Sequence, residues 1–73
     1  MFAYKYNPED YEELLKEYMT AFYRAHEEQN RGEALSLFAD LYNETKYVMK
    51  NGEISSDRRE DMLAYFGEMI PDA

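Results

Sequence analysis

The chain has no cysteine and no tryptophan, and only one histidine, three glycines and two prolines among 73 residues. Without cysteine there is no disulfide framework, no thiolate zinc site and no cysteine nucleophile, so nothing marks secretion or thiol redox chemistry. Gly32, Gly52 and Gly67 stand apart from one another and form no phosphate-cradling loop. Basic residues are also scarce. Eight Lys and Arg face sixteen Asp and Glu, a net charge of -8, which excludes a nucleic-acid binder that works by neutralising phosphates. No apolar run approaches the roughly 18 residues of a membrane span, and Met1 to Pro8 is too short and too polar for a signal peptide. These absences lead to the expectation of a soluble, cytoplasmic protein with no membrane partner. Its length allows one domain, 1–73.

What is present is a hydrophobic fraction of 45%, with eight tyrosines and four phenylalanines, and with charge interleaved rather than blocked. That balance favours folding over disorder. The periodicity is helical throughout. Asn7-Pro8-Glu9-Asp10 is a helix start, with an Asn cap, proline in the first turn and acids near the positive dipole end. Tyr11, Leu14, Leu15, Tyr18, Met19, Phe22, Ala25 and His26 then recur at three- and four-residue steps, which predicts a first helix over 8–29. A second stripe runs through Ala34, Phe38, Leu41, Thr45 and Val48, flanked by Leu35, Leu37, Tyr42 and Met49. A continuous rod would set the two stripes on nearly opposite sides, so the chain is expected to break around Asn30-Arg31-Gly32, where Asn30 and Glu33 have capping-box spacing. The second helix is placed at 32–50 and stops at Asn51-Gly52. The third is placed at 56–70, capped by Ser55 or Ser56 and ended by Pro71.

The expected fold class is therefore all-α, a compact three-helix domain with a short extended N-terminal arm. Phe2, Tyr4 and Tyr6 alternate with small or charged residues, a pattern that suits an arm lying across the bundle or adding to a partner, and equally a loose tail. The inner faces are broad for so short a chain, which makes a homodimer or an oligomerisation module an alternative.

Motifs that would carry chemistry are incomplete. Asn51-Gly52-Glu53-Ile54-Ser55 resembles part of a calcium-binding EF-hand loop, but aligning its glycine puts Tyr47, Met49 and Arg58 where oxygen ligands are needed. His26-Glu27 opens the zinc-protease pattern H-E-x-x-H, and Asn30 occupies the place of the second histidine. His26 is read as a packed or rim imidazole. Ser36 falls on a polar face and Ser55 and Ser56 act as caps, so no nucleophile has a base. No enzyme activity, cofactor or metal is expected.

The remaining candidate is the surface. Helix 1 and its borders carry Glu9, Asp10, Glu12, Glu13, Glu17, Glu27 and Glu28 against Lys16 and Arg24. Tyr47 falls on the polar face of helix 2 beside Asp40, and Tyr23 lies at the border of the helix 1 stripe. Exposed tyrosines among acids suit a protein-binding surface, because the ring gives contact area at small entropic cost. The chain is accordingly expected to be a small non-enzymatic regulator or adaptor that binds a protein partner with a basic surface. Its contact residues would be Glu9, Glu13, Glu17, Tyr23, Glu27, Glu28, Asp40, Tyr47, Asp57, Glu60 and Asp61. The alternative is an inhibitor that occupies the basic nucleic-acid groove of an enzyme, in the manner of small phage-encoded anti-defence proteins. Helix 1 carries one net charge per roughly 7 Å, against one per about 1.7 Å for duplex DNA, so such mimicry would be partial.

Overall fold

The computed structural model describes residues 3–72, and there the chain forms three α-helices with no strand among the described residues. They are α1 (Glu13–Glu27), α2 (Arg31–Lys50) and α3 (Ser56–Glu68), preceded by a single 3₁₀ turn at Pro8–Asp10. Phe2, part of the expected arm, lies outside the described residues.

The first helix starts later than its proline signal suggests. Asn7 does cap, its side chain accepting from the Glu9 amide at 3.0 Å, but the turn it caps ends at Tyr11, whose backbone is extended (φ -126°, ψ 165°). Glu12 caps α1 instead, its carboxylate accepting from the Leu14 and Leu15 amides. Side-chain oxygens, the Asn7 carboxamide and the Glu12 carboxylate, satisfy orphan donors at the two starts, so two short caps compete with one continuous helix. Leu15 is fully buried, whereas Leu14, expected inside, is 40% exposed.

The break between α1 and α2 falls where the stripes require it, but Gln29 makes the turn, not Gly32. Gln29 has φ 57°, the Asn30 amide donates to the Ala25 carbonyl at 2.9 Å, and the Gln29 amide donates to His26 at 3.1 Å. These two bonds form a Schellman motif with a non-glycine residue at its left-handed position. Asn30 then caps α2, its side chain accepting from the Glu33 amide at 3.1 Å, and Gly32 sits inside the helix. The other end of α2 repeats the motif with the expected residue, Gly52 at φ 80°. Ser55 caps α3, which ends at Glu68, two residues before the expected limit.

The three helices share one core. Leu15, Met19 and Phe22 of α1 meet Leu41 and Val48 of α2 and Met62 and Phe66 of α3, all almost fully buried. Thr45 is the one buried polar residue among those described; its hydroxyl donates to the Leu41 carbonyl at 2.7 Å and accepts from Arg59 Nε at 3.1 Å. No buried side-chain polar atom among the described residues lacks a partner, as a stable interior requires.

The N-terminal arm belongs to this core. Tyr6 is buried, edge-on to Tyr65 and tilted against Phe66, and its backbone carbonyl accepts from the Tyr23 hydroxyl at 2.6 Å. Tyr4 stacks on Tyr23. The arm therefore fills the seam between α1 and α3 with aromatic rings, where burial of large side chains gives most per residue.

Candidate functional site

The acidic surface expected from the sequence separates into two sets. In the first set the carboxylates are used by the fold. Glu9 pairs with Lys16 at 2.9 Å, Glu27 accepts from the Tyr4 hydroxyl at 2.6 Å, and Asp61 pairs with Lys5 at 2.6 Å while accepting from the Tyr6 hydroxyl. Hydrogen bonds from Lys5 and then Tyr6 hold the Asp61 carboxyl below its usual range. The hydrogen bond to Glu27 raises the Tyr4 phenol, followed by burial. Tyr6 is pushed up to about 12 by burial first and then by its bond to Asp61. Two acids assigned to a contact surface thus serve as internal anchors for the arm.

Tyr23 is also removed from the surface set. Only 5% of it is exposed, it lies between Tyr4 and Phe66, and burial raises its phenol. A border position on a helical wheel becomes interior here because the arm covers that flank of α1, a cover that helical spacing does not reveal.

In the second set the groups are left to solvent. Glu13 and Glu17 lie one turn apart on the outer face of α1, Glu28 stands at its C-terminal cap, and none of the three carboxylates makes a hydrogen bond or ion pair among the described residues. The same holds for Asp57 and Glu60 on α3, and for Asp40 on α2, which is half-buried. Tyr47 is 61% exposed, the largest value among the exposed large hydrophobic residues. Asp40, Glu44 and Tyr47 follow at four- and three-residue steps, so they share one stripe of α2. Glu44 interacts with Glu12 at the N-cap of α1, which turns this stripe of α2 toward α1.

The Glu12–Glu44 pair is asymmetric. Burial, then the hydrogen bond to Glu12 and its charge, raise the Glu44 carboxyl. At Glu12 burial alone would raise it as well, but the amide bonds from Leu15 and Leu14, together with the bond from Glu44, outweigh burial and lower it. Glu12 is thus the stronger acid of the pair and Glu44 the weaker. Beside it an open cleft of about 340 Å³ is floored by Leu15, Val48 and Ile54 and edged by Tyr11, Glu53 and Arg58.

Among the described residues no group of three His, Asp or Glu could hold a metal ion, and no helix is long and apolar enough to cross a membrane. His26 is half-buried and points Nδ1 at the Met69 carbonyl, 2.8 Å away, which makes Nδ1 the protonated donor and the ring part of the packing.

Two residues that flank the apolar stripe of α2 are more exposed than their spacing implies. Leu35 is 43% exposed and Tyr42 47% exposed on the flank of α2 that faces α3, and Arg59 stacks its guanidinium 4.5 Å from the Tyr42 ring centroid. The breadth of the helix 2 apolar face was the available signal. The chain matches no family model and shows no significant similarity to a curated protein or a solved structure.

Proposed function

We propose that the protein is a non-enzymatic binding module, a small regulator or adaptor that engages a basic surface of a protein partner through one side of α1 and α2. The contact set is Glu13, Glu17 and Glu28 on α1 with Asp40 and Tyr47 on α2. One observation carries this reading: these side chains are left without hydrogen bonds or ion pairs among the described residues, while the carboxylates of Glu9, Glu27 and Asp61 are taken up by the fold. Unpaired carboxylates supply steering and an exposed aromatic ring supplies an anchor.

The groove-blocking alternative has less support. It needs dense negative charge, and internal pairing of Glu9 and Asp61 with lysines neutralises part of what the sequence offers.

The test is affinity capture from source-cell lysate with the intact protein, Tyr47→Ala, and the double variant Glu13→Gln/Glu17→Gln, at low and high salt. A specific partner retained at low salt, and lost in both variants while their helicity is unchanged, is the expected outcome. Capture that neither variant alters removes the assignment. If added duplex DNA displaces the protein from that partner, the groove-blocking reading replaces it.

A further inference from the structure

On the opposite flank of α2 the charge is reversed. Arg31, Leu35, Ala39, Tyr42 and Lys46 follow at four- and three-residue steps, an apolar stripe with a cation at each end, about 22 Å long. Phe38 widens it toward α3, where its ring lies 3.7 Å from the position a side chain on Gly67 would take, and half-buried Leu63 continues it. Lys46 has no carboxylate partner among the described residues, and Arg31 donates Nη1 to the Pro71 carbonyl at 2.7 Å rather than to an acid.

Arg59 is the decisive group. Its Nε donates to Thr45 Oγ1 at 3.1 Å and its Nη2 to the Tyr42 carbonyl at 3.0 Å, and its plane stacks on the Tyr42 ring. Side chain and charge are therefore held in one place. Yet Nη1 makes no hydrogen bond, and the guanidinium has no carboxylate partner among the described residues. A fixed guanidinium with a free edge is arranged to receive a carboxylate, since its ordering cost has been met before any ligand arrives. Tyrosine and arginine are both enriched among the anchor residues of protein interfaces.

We infer that the α2–α3 flank is a docking surface for an acidic amphipathic helix of a partner protein. Apolar side chains of that helix pack on Leu35, Phe38 and Leu63, a carboxylate bonds Arg59 Nη1, and further acids meet Arg31 and Lys46. This surface is separate from the acidic side of α1 and α2, so one small domain would present two contacts of opposite sign, as an adaptor requires.

The probe is a synthetic helical peptide of about 16 residues, roughly the length of the stripe, with leucines at every third and fourth position and glutamates flanking them. Its counterpart carries lysine for glutamate. In heteronuclear NMR of the whole protein, the glutamate peptide is expected to shift Leu35, Tyr42, Leu63 and the Arg59 Nε–H. It should bind at least about tenfold more tightly than the lysine peptide. Arg59→Gln should abolish most of that preference, and Leu35→Ser, at an exposed position that leaves the fold intact, should weaken both peptides. Equal binding of the two peptides, shifts confined to α1, or no shift at millimolar peptide overturns the proposal. So does sedimentation showing that the protein alone dimerises and that Leu35→Ser abolishes the dimer, since the surface then belongs to a second copy.

Discussion

Tyr4 lies flat against Tyr23, with ring centroids 4.3 Å apart and planes 6° from parallel. That stack fastens the arm to α1, while Lys5 and Tyr6 fasten it to α3 through Asp61. The arm is therefore a structural element, and its removal should cost as much as a core substitution. Tyr6→Ala is expected to destabilise the domain by about 3–5 kcal/mol, and Tyr4→Ala by roughly 1–2 kcal/mol, in urea unfolding followed by circular dichroism. Near-wild-type stability of Tyr6→Ala would mean the arm is not part of the core.

The same arm sets behaviour in alkali. The folded Tyr6 phenol lies at about 12 against 10.0 for an unperturbed one, so the folded state holds its proton more tightly than the unfolded state. This contribution is complete below pH 10 and is lost as the pH rises from 10 toward 12. Tyrosinate absorbance is expected to rise together with loss of helicity in that window, and Tyr6→Phe should reduce the slope of stability against pH. Full ionisation of all tyrosines at pH 10 with helicity intact would contradict it.

The left-handed residues make a matched pair of tests. Gln29 holds φ 57° with a side chain, at a cost that glycine does not bear. Gln29→Gly should stabilise the protein by about 1 kcal/mol, less whatever is lost with its side-chain bond to the His26 carbonyl. Gly52→Ala should destabilise by about 1 kcal/mol, because a side chain there meets open space but an unfavourable backbone angle. Thermal melts of both variants decide it.

Glu44→Gln tests the raised Glu44 carboxyl. Glu44 is raised, so its proton binding favours the folded state below the ordinary glutamate value and this benefit is lost as the pH rises through the higher folded value. At pH 7 the amide can donate to Glu12 without carrying a charge. The variant is expected to be more stable than the parent by about 0.5–1 kcal/mol at pH 7 and equal to it near pH 4, in melts at the two pH values. A gain of the same size at both would rule out the titration as its cause.

Helix identity, the break before α2, the Asn30 and Ser55 caps and the Gly52 stop were all legible, because each follows from spacing and capping chemistry within a few residues. The start of α1 was not. Asn7-Pro8 is a valid cap signal, but it caps one turn, and only the competing Glu12 cap explains why the helix restarts at Glu13. The exposed acids Glu13, Glu17 and Glu28 were found correctly as outer positions, whereas Tyr23 was misplaced and Arg59 overlooked.

Local periodicity and charge therefore dictated three amphipathic helices with an anionic exterior. Which carboxylates remain available to a partner was decided by the folded chain, which joins Tyr4 to Glu27 and Lys5 to Asp61 across 23 and 56 residues of sequence. The reason is physical: an apolar stripe is a property of one helix, whereas a hydrogen bond to a distant acid depends on how the arm and helices are packed against each other.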